Sequence, residues 1–329
     1  MSPAEIPIAA TREARGSAQE PVAVAVLILT IDQRETTLRC LETIRGQVAP
    51  PYRVVVWDNG SRDRTADAVR EAFPEVLVHA HETNLGVASG RNAAAALAIE
   101  TCAPHYLLFL DNDMEVTPGF IAGLLAPLEA DSTVGQTQAK LRFLSDRDRL
   151  NDGGGCRISF WRGRTRPVGF DEIDHGQYDQ VTPCVACGGA MMTRTSVFQE
   201  LGGFDPTFDP VGPEDLDYSL RLQKAGYRAL YAPQAMAYHA VSHTFGGGRY
   251  SEAYARHKAR NWFKFMLRHA PAHQKLGFFL VSAPVLALRL VVREGRQGNL
   301  GAVRGAAAGM WELVRGKRDT DGAPSGKAP

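Results

Sequence analysis

From Val22 to Leu110 the chain alternates short, uniformly apolar runs with stretches whose apolar residues recur at helical spacing. The apolar runs are Val22 to Leu29 (VAVAVLIL), Arg53 to Trp57 (RVVVW), Val76 to His79 and Tyr106 to Leu110 (YLLFL). Strands this apolar are covered on both faces, and their alternation with helices predicts βαβ units on a mostly parallel central sheet. Between them, Thr37 to Arg45 sets Leu38, Leu41 and Ile44 on one face, Thr65 to Phe73 predicts a second helix, and alanine-rich Ala88 to Glu100 a third. After residue 130 the pattern changes to mixed strands and longer loops. The polar, Gly- and Arg-rich stretch Ser145 to Gln180 falls in this part. A strand at Val185 to Met192, a helix at Thr195 to Leu201 closed by Gly202 and Gly203, and a helix at Glu214 to Ala225 closed by Gly226 follow. From Ser251 onward the pattern is helical, and the expected class is α/β with a C-terminal helical extension.

Composition bounds this picture. With 44% apolar and 22% charged residues, the 329-residue chain suits one large globular domain with an appendage. Residues 1–20 and 318–329 have no apolar periodicity and read as tails. The N-terminal tail lacks the basic start and apolar run of a secretory signal, which predicts a cytoplasmic protein. Cys40, Cys102, Cys156, Cys184 and Cys187 are odd in number and irregularly spaced, so buried thiols are expected. The single CxxC, Cys184 to Cys187, lacks a second half-site for zinc.

Charge is unevenly spread. Residues 249–329 hold 15 Lys and Arg against 5 Asp and Glu, a net of +10, which leaves −9 for the remainder. The same region contains Leu276 to Leu288 (LGFFLVSAPVLAL), interrupted by Pro284 and followed by Arg289. Thirteen residues fall short of the roughly 20 that cross a bilayer, so the expectation is a surface-lying element against anionic lipid, peripheral on the inner face of the plasma membrane. A basic helical cap packed on the core is the alternative; nucleic acid is not an expected partner.

Ligands of a doubly wound sheet sit beyond the C-terminal ends of its strands. Thr30, Ile31 and Asp32 follow the first strand, Asp58 to Ser61 the second, Asn84 to Gly86 the third, and Asp111, Asn112 and Asp113 the fourth. Neither GxGxxG nor GxxxxGK[ST] occurs there, against a dinucleotide enzyme or a P-loop NTPase. Carboxylates at the mouth of a buried strand suit Mg²⁺ or Mn²⁺. An Asp/Asn turn that merely ends the strand explains the tripeptide equally well.

Read together, VLILTIDQRETTLRCLETIRGQ, VVVWDNGSRDRT, NLGVASGRNAAA, LLFLDNDMEVTPG, GGAMMTRTSVFQELGGFD, GPEDLDYSLRLQKAGYR and AMAYHAVSHT resemble family 2 glycosyltransferases of the GT-A fold, above all the rhamnosyltransferase-like members. The resemblance covers roughly residues 22–250, and RHKARNWFKFMLRH, with Arg260 and Asn261, resembles the helix that follows that domain. It implies a catalytic domain at 21–250, divided near residue 130 into nucleotide-sugar and acceptor halves, with a basic helical extension at 251–317. It further implies inverting, metal-dependent transfer of a single sugar, from dTDP-rhamnose or a UDP-hexose, to a glycan, lipid-linked or small-molecule hydroxyl.

By the same resemblance Thr30 and Asp58 hold the donor's base, with Asp32 and Asn84 nearby, and Arg91 lies near base, ribose and phosphates. Asp111 is assigned to ribose, with Asn112 beside it. Asp113 and His239 are assigned to the metal, Mn²⁺ or Mg²⁺. Asp215 is implied as general base, supported by Glu214 and Asp217; Gly188 and Gly189 admit the donor sugar, and His243, Thr244 and Gly246 to Gly248 resemble a mobile loop. Asp32-Gln33-Arg34 departs from the aromatic-Asn-Arg sequence of many relatives, and the QxxRW of processive synthases is absent. A sugar-nucleotide pyrophosphorylase would carry a Gly-rich basic loop after the first strand, where Thr30 to Glu35 stands. A sugar-nucleotide-binding protein without transfer is the remaining alternative.

Overall fold

A computed structural model describes residues 22–48, 50–186, 189–241 and 251–315. The two tails, Cys187, Gly188, and the segment with His243, Thr244 and Gly246 to Gly248 lie outside the described residues. The first half runs β1 (Val24–Thr30), α1 (Arg34–Arg45), β2 (Tyr52–Asp58), α2 (Thr65–Ala72), β3 (Leu77–Ala80), α3 (Val87–Cys102) and β4 (Tyr106–Asp111). Then come β5 (Met114–Val116), α4 (Phe120–Ala130), β6 (Val134–Phe143), β7 (Leu150–Asp152), β8 (Cys156–Ser159), β9 (Arg164–Pro167), β10 (Thr182–Pro183) and β11 (Ala190–Arg194). The chain continues through α5 (Thr195–Glu200), α6 (Glu214–Lys224) and β12 (Arg228–His239) to the helices α7 (Glu252–His269), α8 (Ala272–Gly277), α9 (Ala283–Arg296) and α10 (Leu300–Arg315).

The main sheet has the order β10-β12-β6-β11-β4-β1-β2-β3. Strands β1 to β4 pair in parallel, and antiparallel β11 joins them to the second half. Both faces are covered, as the uniform apolarity of these strands requires. Val24, Val26 and Ile28 face α1, α2 and α4, while Ala25, Leu27, Leu107 and Phe109 face α3, α5 and α6. The alanines of α3 let it approach closely: a Cβ on Gly90 would lie 2.7 Å from Leu29 Cδ1. In α4, Pro127 costs about 3 kcal/mol. Five buried side chains, Phe120, Ile121, Leu124, Leu125 and Leu128, contribute on the order of 1.5–3 kcal/mol each, so burial prevails.

Two expectations need correction. The strand predicted from Val185 begins only at Ala190. The apolar run at 276–288 is part of a continuous helical segment, Ala272–Arg296, in which α8 passes through a π-helical turn at Phe278–Ser282 into α9. Pro284 follows the π-helical turn, at the first positions of α9. At 25 residues this segment is long and apolar enough to cross a membrane by length and composition, contrary to the thirteen-residue count.

The extension is integrated with the sheet domain. Phe265 and Met266 of α7 share a buried cluster with Phe208, Leu216 and Phe278. Helix α10 lies tightly along α7, since a Cβ on Gly305 would meet Glu252 O at 2.0 Å. Cys40, Cys156 and Cys184 are buried and unpaired, and burial pushes the thiols of Cys40 and Cys184 upward, away from reactivity.

Candidate functional site

The C-terminal ends of β1 and β4 open on a cavity of about 710 Å³, walled by Thr30, Asp32, Asn84, Arg91, Asp111 to Asp113, Glu214, Asp215 and His239. Sheet register explains how residues so far apart meet. β5 pairs antiparallel with the end of β12, placing Met114 opposite His239, and the Ala240 N–H donates to Asp113 O at 3.0 Å. His239 Nε2 consequently lies 3.3 Å from Asp113 Oδ1.

One ligand atom each from Asp111, Asp113 and His239 falls within 4.8 Å of the others. Two carboxylates and an imidazole are a donor set that suits Mn²⁺ or Mg²⁺. The Nδ1 of His239 donates to Asn151 Oδ1 at 3.0 Å, because an amide oxygen only accepts, and this aims Nε2 into the cluster. Burial opposes protonation of His239, but the hydrogen bond and charge of Asp113, with Asp111, hold it above its ordinary value.

Arg91, on α3, is buried and bridges two acids. Its guanidinium donates to Asp111 Oδ1 at 2.7 Å and to Glu214 Oε1 at 3.0 Å. The residue expected near base, ribose and phosphates lines the cavity and also orients two carboxylates. Burial and the adjacent Asp215 charge push the Glu214 carboxyl upward, with Arg91 opposing. Asp215, next along α6, is half-buried on the cavity wall and accepts from the Leu216 N–H at 2.7 Å. Both acids lie in the first turn of α6, where the helix dipole favours negative charge.

Asp217 does not belong with them. It is buried between α6 and α7, with Arg268 and His269 at 2.8 Å and Arg221 at 2.7 Å. Burial opposes its ionisation, but hydrogen bonds from His269, Arg221 and Arg268 outweigh it and hold the carboxyl far below the usual range. Its role is to tie the helices together.

The nucleoside end is built from turns. Asp58 is only 2% exposed; Oδ1 accepts from Ser61 N at 2.8 Å and Oδ2 from Ala66 N at 3.1 Å, so it braces the turn and the start of α2 beneath the cavity. Asp32 adopts φ 49° and accepts from Arg62 N at 2.6 Å, locking the β1 loop to the β2 loop. Asn84 Oδ1 accepts from Asn59 Nδ2 and from Gly86 N, both at 2.8 Å. Asn112 Nδ2 lies within hydrogen-bonding distance of Thr30 Oγ1, Gln33 Oε1 and Thr37 Oγ1. Gly189 has no room for a side chain: a Cβ there would meet Met114 Cε at 2.0 Å and Asp111 Oδ2 at 2.9 Å.

Two positioning residues were not legible in sequence. Asn151 directs His239 from a strand that pattern reading leaves as loop. Asp209 caps α3, accepting from Ala88 N at 2.8 Å and Ser89 N at 3.1 Å. Its carbonyl accepts from Arg260 at 2.6 Å, and Asn261 donates to Phe208 O and Val211 O. Helix α7 thereby holds the loop that leads into Glu214 and Asp215.

A family model, glycosyl transferase family 2, matches residues 25–202. The N-acetylglucosaminyl-diphospho-decaprenol L-rhamnosyltransferase of Mycobacterium tuberculosis is 27% identical over 293 residues, 81% of this chain and 93% of that protein. The pre-mycofactocin glycosyltransferase of the same organism is 26% identical, over 66% of this chain and 42% of that longer protein. Among solved structures, GalNAc-T7 with UDP, GalNAc and Mn²⁺ aligns at TM-score 0.62 and 16% identity, over 79% of this chain and 50% of that one. The Pyrobaculum calidifontis mannosyltransferase with GDP-Man and Mn²⁺ aligns at 0.52 and 21% identity, over 93% and 80%. The chain belongs to glycosyl transferase family 2, resembles its rhamnosyltransferases, and has the GT-A fold of nucleotide-sugar-dependent glycosyltransferases.

Proposed function

We propose that this protein transfers one sugar, with inversion and with the help of Mn²⁺ or Mg²⁺, from dTDP-rhamnose or a UDP-hexose to a hydroxyl of a lipid-linked glycan. The observation that carries the proposal is the convergence of Asp111, Asp113 and His239 in a cavity that Asp215 also faces. A cation held by Asp113 and His239, with Asp111 adjacent, would neutralise charge on the departing diphosphate. The kinship with a rhamnosyltransferase named for a diphospho-decaprenol acceptor supports the choice of sugar and acceptor.

The remaining steps belong to the chain's own side chains. Thr30, Asp32 and Asn84 contact the nucleoside, with Asp58 as the floor beneath it. Gly189 lets Met114 and Asp111 close against its backbone on the side where the sugar would lie. Asp215 accepts the proton of the acceptor hydroxyl as that oxygen forms its bond to the anomeric carbon; the bond to the diphosphate breaks on the opposite face, and its electron pair leaves with the nucleoside diphosphate. Arg91 fixes Asp111 and Glu214, so the two acids flanking this path keep their directions.

Thermal-shift titration with UDP, dTDP and GDP, with and without Mn²⁺, tests the donor site, since a ligand specific to the native state raises its stability. Stabilisation by a diphosphate that needs Mn²⁺ and is lost in Asp113→Ala is the expected result; no metal-dependent stabilisation by any of the three refutes the reading. Asp215→Asn should bind donor normally and transfer nothing.

A further inference from the structure

The hairpin β8–β9 and the segment α8–α9 form one continuous surface. At the hairpin turn, Trp161 packs so closely on α8 that a Cβ on Gly277 would lie 2.0 Å from its ring. Gly163 meets Phe278 in the same way, Ser282 Oγ donates to Trp161 O at 2.8 Å, and Trp262 Nε1 donates to Gly163 O at 3.1 Å. Yet half of Trp161 stays exposed, and beside it Leu276, Leu280, Val281, Val285 and Leu288 of the helical segment are 44–68% exposed. They line the exposed part of the segment, while Phe278 and Ala283 are buried against the domain.

Cations border this apolar strip at both ends. The hairpin stretch from Cys156 to Phe170 contains Arg157, Arg162, Arg164 and Arg166, all exposed, and no acidic residue. Arg157 even pairs directly across the hairpin with Arg166, a like-charge arrangement that costs stability unless an external anion relieves it. On α9, exposed Arg289 and Arg296 extend the basic rim, whereas Arg293 is paired with buried Glu294 at 2.6 Å.

We propose that this combined face, hairpin tip plus α8–α9, docks flat on an anionic lipid bilayer, with Trp161, Leu280 and Leu288 entering the headgroup boundary and the arginines binding lipid phosphates. An aromatic, aliphatic and arginine-rimmed surface matches that boundary chemically. A symmetric second copy fits poorly, because it would bring Arg162 and Arg289 against like charges. Crossing the bilayer fits poorly too: the helix is tied at its middle to the hairpin, and Arg162 and Arg164 would be drawn into hydrocarbon. The proposal complements the lipid-linked acceptor without resting on it, since vesicle binding requires neither donor nor acceptor.

The test is co-sedimentation of the full chain with vesicles of equal parts phosphatidylglycerol and phosphatidylcholine, against phosphatidylcholine alone. Binding should need phosphatidylglycerol and weaken with salt. Arg162→Ala with Arg164→Ala should lower the partition coefficient by about fivefold per arginine, and Trp161→Ala and Leu280→Ser should each lower it several-fold. The arginine and Leu280 variants should keep the wild-type melting temperature and nucleotide stabilisation, which separates docking from folding and from the donor site; Trp161→Ala, which also removes packing on α8, is read only beside them. Absence of sedimentation, or unchanged sedimentation of these variants, overturns the proposal. So does retention in membranes after alkaline extraction, which indicates a spanning helix, or a dimer that Leu280→Ser dissociates, which indicates a second copy as occupant.

Discussion

Asn151 Oδ1 accepts the Nδ1 proton of His239 at 3.0 Å, so a residue outside the acidic cluster determines which imidazole nitrogen the cluster receives. Removing such a partner typically costs a metal site about 10–100-fold in affinity. Asn151→Ala should raise the Mn²⁺ concentration needed for nucleoside diphosphate binding by that factor while leaving the urea midpoint nearly unchanged. A midpoint shift without a change in Mn²⁺ dependence would assign Asn151 to packing alone.

Arg91 joins Asp111 to Glu214 from a position with its side chain only 10% exposed. Arg91→Met leaves two acids without their cation and should destabilise the fold by about 3–5 kcal/mol. Adding Glu214→Gln removes the more deeply buried of these charges and should restore part of that loss. Urea unfolding of the single and double variants measures the difference; equal stability of the two would show that Glu214 does not depend on Arg91.

Gly189→Ala places a methyl group against Met114 and Asp111. Overpacking of this kind costs about 1–3 kcal/mol. Displacing Asp111 should also weaken metal-dependent donor binding, which the same thermal-shift titration reads. Wild-type binding at reduced stability would mean that Met114 alone moves.

Asp217 sets an acid limit on stability. Its carboxyl lies below the ordinary value in the folded chain, so its contribution is fully present above the unfolded value, about 3.9, and is lost as pH falls through the lower folded value. Urea midpoints across an acid series should decline below about pH 4. Asp217→Asn should start lower at neutral pH and decline less steeply; parallel curves would place the acid sensitivity elsewhere.

The first half of the sheet was readable because β1, β2 and β4 carry little besides apolar residues, and only a strand covered on both faces explains such runs. Strand β6 was not, for the opposite reason. Gln136, Thr137, Gln138 and Lys140 are buried in it, and the last three are accommodated by tertiary partners that no local pattern announces. Thr137 donates to Leu124 O, Gln138 to Asp152, and Lys140 to Asp174 and Asp179. Helix α4 was hidden by Gly123 and Pro127. At the site, Asp111 and Asp113 stood after a strand where a turn explains them equally well, and only the family resemblance assigned them and His239 to ribose and metal; Arg91's double attachment was in neither reading, because Glu214 lies 123 residues further on.

The grip of α7 on the loop at Phe208 to Val211 bears on how this protein should be handled. From Arg260 the connection passes to the Asp209 carbonyl, from Asp209 to the start of α3, and from Arg91 on α3 to Asp111. A chain cut near residue 250 to isolate the sheet domain would lose the first link of that sequence and expose Phe208 and Leu216 together. The C-terminal helices are thus a buttress of the cavity at the ends of β1 and β4, and the smallest unit worth purifying or transplanting includes α7.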